Sequence, residues 1–251
     1  MLLNLSKHPG VFIPDTKPFN PDNAQGEVHF FDRHWSRGLG WYSTLFTPGK
    51  GRLCGEKTPE YMFVPDAARR LAETLGEAKL IVVLRDPTRR LLSQMVMRQR
   101  RGRVLSVDQA LATAEYAGRG RYAALLEENV YAQIDPARVL VIISDDHEAE
   151  IDRTEVEMDQ LHGVPVKDAS GLVASQMRRV HEFLGLPHVD IDYAYHNVTH
   201  YDLPATPDEI RRIYDYYRPE NERLYSLLGR RIEAWEHADR EAQAAVAHDQ
   251  E

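Results

Sequence analysis

The sequence predicts an α/β fold, a parallel sheet flanked by helices, from three observations. Strand and helix signals alternate along the chain. Two five-residue apolar runs, Leu80–Leu84 and Val139–Ile143, are rich in β-branched residues and too short for isolated helices, which suits strands buried on both faces. Helical patterns lie between the two runs, so the strands are expected to pair in parallel through right-handed crossovers.

Taken in order, the first patterned stretch is Gly26-Glu-Val-His-Phe-Phe-Asp32. Read as extended, its alternation points Glu27 and His29 to one side and Val28 and Phe30 to the other. An acid and an imidazole on one face beside aromatic bulk suit general-base chemistry. An edge strand with a polar outer face is the plainer alternative. Pro65 to Gly76 predicts a helix with Ala68, Leu71, Ala72 and Leu75 on one face and Gly76 as its stop.

The run at 80–84 breaks at Arg85-Asp86-Pro87, where Asp86 is a good N-cap and Pro87 a good first helical residue. Arg85 then stands at the carboxyl edge of a sheet beside a helix N-terminus, a position that favours anions. Its planar fork of donors suits a phosphate, and Ser93 offers a hydroxyl about two turns along. The local pattern leaves open a structural corner in which Arg85 pairs with Asp86 or another carboxylate. Arg98, Arg100, Arg101 and Arg103 close this helix, with Gly102 as a stop. They read as cations complementing a helix C-terminus, or as a basic patch for an anionic acceptor.

Tyr122 to Ile134 predicts another amphipathic helix leading into the second strand, and Gly171 to Leu184 a third. Thr206-Pro207-Asp208-Glu209 is a capping box opening a helix that runs to Tyr216 or Tyr217. The stretch from Ala234 to Glu251 is polar and Ala-rich. Residues 1–230 therefore read as a single domain and 231–251 as a polar C-terminal helix or tail.

Composition bounds function. The 251 residues carry 31 Lys plus Arg against 39 Asp plus Glu, a net charge of −8, which argues against general nucleic-acid binding. The single cysteine, Cys54, permits no internal disulfide and no multi-cysteine zinc site. No apolar run approaches the roughly 20 residues of a membrane span, and no secretory signal precedes the first motif, so a cytoplasmic protein is expected. Asn197-Val198-Thr199 is a glycosylation acceptor only in a secreted protein. His196 and His200 suggest a metal ligand pair, but no third ligand is evident, and no metal is expected.

Four motifs in order, EVHFFD from Glu27, GLGWY at 38–42, GEKTPEYMF at 55–63 and LIVVLRDPTRRLLS at 80–93, resemble the sulfotransferases that use 3′-phosphoadenosine 5′-phosphosulfate (PAPS). The nearest branch is that of the heparan sulfate 3-O- and N-sulfotransferases. The resemblance implies a P-loop-NTPase-like sheet, with Glu27 as catalytic base, His29 and Asp32 as supporting acceptor-site residues and Lys57 near the acceptor and the transferred group. It also implies that Arg85 and Ser93 hold the donor's 3′-phosphate. The implied acceptor is a carbohydrate, glycolipid or other small hydroxylated molecule, or an amine.

Two family features are missing from the sequence. The family's first strand and its Gly-rich phosphosulfate loop have no counterpart here, and residues 1–10 resemble the remainder of the helix that follows that loop. Gly49-Lys50-Gly51 is not followed by a helix pattern and reads as a turn. A late-assigned start, a fragment, or a truncated protein of little activity each accounts for this. No Lys-Gly-Arg triplet follows residue 160. Beside sulfuryl transfer stand a non-catalytic nucleotide-binding or scaffold remnant and, less well supported without a Gly-Lys-Ser/Thr loop, a P-loop kinase. Trp35, Trp41 and Tyr42 suit sugar stacking or, more simply, core packing.

Overall fold

A computed structural model describes residues 2–18, 26–144, 169–189, 191 and 205–248. The triplet at 197–199, the histidines at 196 and 200, and much of the stretch after residue 160 lie outside the described residues. The helices are α1 (Leu2–Leu5), α2 (Gly38–Thr44), α3 (Pro65–Thr74), α4 (Pro87–Arg100), α5 (Val107–Ala112), α6 (Tyr122–Leu125), α7 (Ala169–Leu184), α8 (Pro207–Leu228) and α9 (Glu233–His248). The strands are β1 (Val11–Phe12), β2 (Leu53–Cys54), β3 (Leu80–Leu84) and β4 (Val139–Ile143), paired β1 with β2 and β3 with β4. This is the α/β arrangement expected, and it divides into two compact units.

The first unit comprises Met1–Ile81, Leu125–Leu140 and Val173–Ala194. Its β1 and β2 pair in parallel, Val11 opposite Leu53 and Phe12 opposite Cys54. The turn at 47–51 passes beneath the Phe12 ring at Gly49, where a Cβ would come within 2.5 Å of the ring, so only glycine fits. The core gathers Val28, Phe30, Phe31, Tyr42 and Ala67, with Trp35, Trp41, Tyr61 and Leu71 packed against it. Phe30 and Tyr42 stack with centroids 4.4 Å apart, so the aromatics of the second motif serve packing. Helix α3 opens on Pro65 and buries Ala67 and Ala68, ending two residues before Gly76. After α6 the chain widens into a π-helical turn, Leu126–Tyr131, rather than continuing as a regular helix to residue 134.

The second unit comprises Val82–Ala124, Val141–Leu172 and Tyr195–Glu251. The Ser144 amide donates to the Leu84 carbonyl at 2.8 Å, bringing the carboxyl ends of β3 and β4 together as parallel pairing requires. Burial on both faces does not hold for β3: Leu84 is buried, but Val83 is 45% exposed. Among the described residues β3 pairs with one strand, so less of its surface is covered than in the interior of a wider sheet.

Helix α4 starts where expected, the Asp86 side chain accepting from the Arg89 amide at 3.0 Å with Pro87 in the first turn. It closes at Gly102 (φ 76°), where the Arg103 amide reaches back to the Arg98 carbonyl at 2.9 Å. Leu91, Leu92 and Met95 of α4 pack with Val107, Ala110, Tyr116, Ile213 and Tyr217. Helix α8 opens on the Thr206–Glu209 capping box but runs past Tyr217 and through Pro219 to Leu228. An interior proline costs about 3 kcal/mol. Ile213 and Leu224, each 0% exposed, return roughly 1.5–3 kcal/mol apiece through burial, so the helix continues to Gly229, a left-handed cap. In α9, Trp235 and Ala238 are buried.

Candidate active site

The segment 26–34 is a loop closed by a tight turn rather than an extended strand. Val28, Phe30 and Phe31 are all 0% exposed, which breaks the alternation that an edge strand would show. His29 adopts a left-handed backbone (φ 54°), and its carbonyl accepts from the amides of Arg33 and His34 at 3.0 and 2.9 Å. This reversal brings Glu27, His29 and Asp32 together on one side of the loop. The Lys57 amide donates to the Gly26 carbonyl at 2.9 Å, docking the loop on the third motif.

The side chains form one connected network. Lys57 Nζ lies 2.8 Å from Glu27 Oε1, Glu27 Oε2 lies 3.9 Å from His29 Nε2, and His29 Nδ1 lies 2.8 Å from Asp32 Oδ2. Arg33 Nε adds a longer contact to Asp32 at 3.5 Å. His29 and Asp32 are nearly inaccessible, whereas the Lys57 side chain is 39% exposed, so this end of the network meets solvent. A buried imidazole oriented by a carboxylate, beside a carboxylate held by an ammonium, can receive and relay a proton.

Beneath the loop lies a residue that the sequence reading did not single out. Glu56 Oε1 accepts from the hydroxyls of Tyr61 and Tyr42 at 2.9 and 3.1 Å, and Oε2 accepts from Thr58 at 2.7 Å. The Thr58 hydroxyl in turn accepts from the His29 amide at 3.1 Å, and the Tyr61 hydroxyl from the amides of Phe30 and Phe31 at 2.8 and 3.3 Å. Burial pushes the Glu56 carboxyl up to about 7, although hydrogen bonds from Thr58, Tyr61, Tyr42 and the Val28 backbone pull it down. Burial likewise raises the Tyr42 and Tyr61 hydroxyls above the ordinary tyrosine range, so both stay protonated and donate. The signal available in the sequence was spacing: two hydroxyl residues follow Glu56 at two and five positions.

Arg85 and Ser93 belong to the second unit. Arg85 follows β3 directly, and its Nη2 donates to the Arg89 carbonyl at 3.3 Å in the first turn of α4. Asp86 is fully buried and accepts from the Tyr214 hydroxyl at 3.1 Å besides capping the helix. Burial and the Asp86 carboxylate hold the Tyr214 hydroxyl well above its ordinary range. Ser93 is half-buried on α4. Among the described residues, no cluster of three or more His, Cys, Asp or Glu side chains could hold a metal ion, and no helix is long and apolar enough to cross a membrane.

Comparison with known proteins finds similarity over most of the chain. It is 28% identical over 240 residues to heparan sulfate glucosamine 3-O-sulfotransferase 3B1 of Mus musculus, covering 81% of this chain and 56% of that one. It is 29% identical over 238 residues to heparan sulfate glucosamine 3-O-sulfotransferase 6 of Homo sapiens, covering 81% and 63%. Over most of its length the chain is similar to sulfotransferases. A third sulfotransferase, the membrane-associated sulfotransferase kil1 of Dictyostelium discoideum, matches more narrowly, 36% identical over 94 residues covering 36% of this chain and 18% of that one. The chain spans a little over half the length of the heparan sulfate relatives named above. No protein-family model matches it. Among solved structures it is similar to the sulfotransferase domain from the curacin biosynthetic pathway, with a TM-score of 0.45, 16% identity, and coverage of 74% and 69% of the two chains.

Proposed function

We propose that the chain transfers a sulfuryl group from PAPS to a hydroxyl, or an amine, of a carbohydrate, glycolipid or small-molecule acceptor. The observation that carries this reading is the Lys57–Glu27–His29–Asp32 network, formed where the loop at 26–34 docks on the segment of Lys57, in a chain similar to sulfotransferases. Glu27 takes the acceptor proton onto its carboxylate as the acceptor oxygen forms its bond to sulfur. The bond from sulfur to the bridging phosphate oxygen breaks, and the electron pair leaves with 3′-phosphoadenosine 5′-phosphate. Lys57 orients Glu27 and supplies positive charge near the transferred group. Asp32 fixes the His29 ring, and His29 supports the acceptor.

Arg85 and Ser93 are assigned to the donor's 3′-phosphate. Supporting this is the position of Arg85 directly after β3 at the N-terminus of α4, where planar donors and helix amides favour a phosphate. The tight capping of that terminus by Asp86 fixes the backbone that presents Arg85. A cytoplasmic setting and an acceptor that is not a nucleic acid complete the reading.

Calorimetry with 3′-phosphoadenosine 5′-phosphate tests the donor assignment. Wild type binds, and Arg85→Ala weakens binding at least tenfold. No heat with wild type, or equal affinity in the variant, would remove Arg85 from the donor site.

A further inference from the structure

We propose that Glu56 is the positioning residue of this site: its carboxylate ends the hydrogen bonds of four consecutive loop amides, Val28 to Phe31, and so holds Glu27 and His29 in the conformation that meets the acceptor. The proposal deepens the sulfuryl-transfer reading and rests on it for the role of Glu27.

The direction of the hydrogen bonds fixes the argument. Thr58 and Tyr61 each own one hydroxyl proton, and each directs it to Glu56, at 2.7 and 2.9 Å. Their lone pairs are thereby left to accept the amides of His29, Phe30 and Phe31. The Val28 amide reaches Glu56 directly. Every bond thus runs from amide to hydroxyl to carboxylate, or from amide straight to carboxylate. The carboxylate, which accepts without donating, ends the whole set once Glu56 has lost its proton, and Tyr42 adds a third hydroxyl donor at 3.1 Å. A glutamine there would turn two N–H groups toward hydroxyls whose protons already point at it.

The loop needs this support because of His29. A non-glycine residue at φ 54° is held in a sparsely populated conformation, which persists where its surroundings over-determine it. The same reversal makes the contact between His29 and Asp32 and brings His29 to Glu27. Glu56 acts through the loop backbone, by way of the Thr58 and Tyr61 hydroxyls.

Wild type, Glu56→Gln and Tyr61→Phe decide the matter in the full chain. Three readouts are compared: amide hydrogen exchange at Val28–Phe31, kcat and donor KM for transfer of labelled sulfate from PAPS to heparan sulfate, and the melting temperature. The expected result is exchange at least tenfold faster at all four amides in Glu56→Gln and at Phe30 and Phe31 in Tyr61→Phe, with kcat lowered at least tenfold and donor KM within twofold in both. A merely structural role would lower the melting temperature and leave the kcat of the folded protein unchanged. Unchanged exchange at the four amides, or a kcat within twofold of wild type, overturns the proposal. If Glu56→Gln fails to fold, Tyr61→Phe, which removes a single oxygen, decides by the same criteria. If wild type labels neither heparan sulfate nor any of a set of neutral glycosides, the sulfuryl-transfer reading fails, and exchange alone decides whether Glu56 holds the loop.

Discussion

Lys57 Nζ stands 2.8 Å from Glu27 Oε1, a contact between a residue of the loop at 26–34 and one of the segment on which that loop docks. The ammonium holds the carboxylate in one orientation, with its second oxygen toward His29. Lys57→Ala frees Glu27 and removes the nearby positive charge, so kcat for sulfuryl transfer is expected to fall ten- to a hundredfold. Because the Lys57 side chain is 39% exposed, the melting temperature is expected to move by only a degree or so. Steady-state kinetics beside a thermal melt check both halves.

His29 tests the strained turn. Alanine loses the Asp32 bond and keeps the unfavourable left-handed backbone, whereas asparagine tolerates that conformation better. His29→Asn is expected to be more stable than His29→Ala by about 1 kcal/mol, although both lose activity. Denaturant unfolding of the two variants measures the difference.

Glu56 gives the fold a pH dependence with a definite sign. Its carboxyl is raised from 4.5 to about 7, so the folded chain holds this proton more tightly than the unfolded chain does. The stabilisation from protonation is fully present below 4.5 and is lost as pH rises to about 7. Glu56→Gln has no such titration. The stability of wild type relative to Glu56→Gln is therefore expected to decline between about pH 5 and about pH 8. Unfolding curves of both proteins at the two pH values read it, and a constant difference would contradict the burial of this carboxyl.

Asp86 does two jobs in the second unit, capping α4 and accepting from Tyr214. Asp86→Ala removes a cap worth about 1 kcal/mol and takes the acceptor from the buried Tyr214 hydroxyl proton, at about 1–3 kcal/mol more. A loss of roughly 2–4 kcal/mol is expected, with Asp86→Asn milder because asparagine also caps. Chemical denaturation of the pair gives the comparison.

The strand, turn and helix from Leu80 to Arg100 were legible in the sequence because each boundary has a local cause: β-branched residues, then the Asp86 cap with Pro87, then Gly102. The loop around Glu27 was legible in content and not in shape. Its residues were identified, but alternation could not foresee a turn whose partners, Thr58 and Tyr61, lie 29 to 31 positions away. Glu56 was hidden for the same reason, since its importance comes from hydroxyls that converge only in the folded chain. The length of α8 also escaped, because Pro219 reads as a breaker until the buried face formed by Ile213, Tyr217 and Leu224 is counted against it. Val83 looked buried in a strand that the described sheet leaves partly open.

The most direct measurement is transfer of labelled sulfate from PAPS by wild type and Glu27→Gln, with heparan sulfate and a set of neutral glycosides as acceptors. Wild type is expected to label at least one acceptor, and Glu27→Gln to lose at least a hundredfold in kcat with its affinity for 3′-phosphoadenosine 5′-phosphate unchanged. Transfer that survives in Glu27→Gln would contradict Glu27 as the base, and no labelling of any acceptor by wild type would contradict sulfuryl transfer itself.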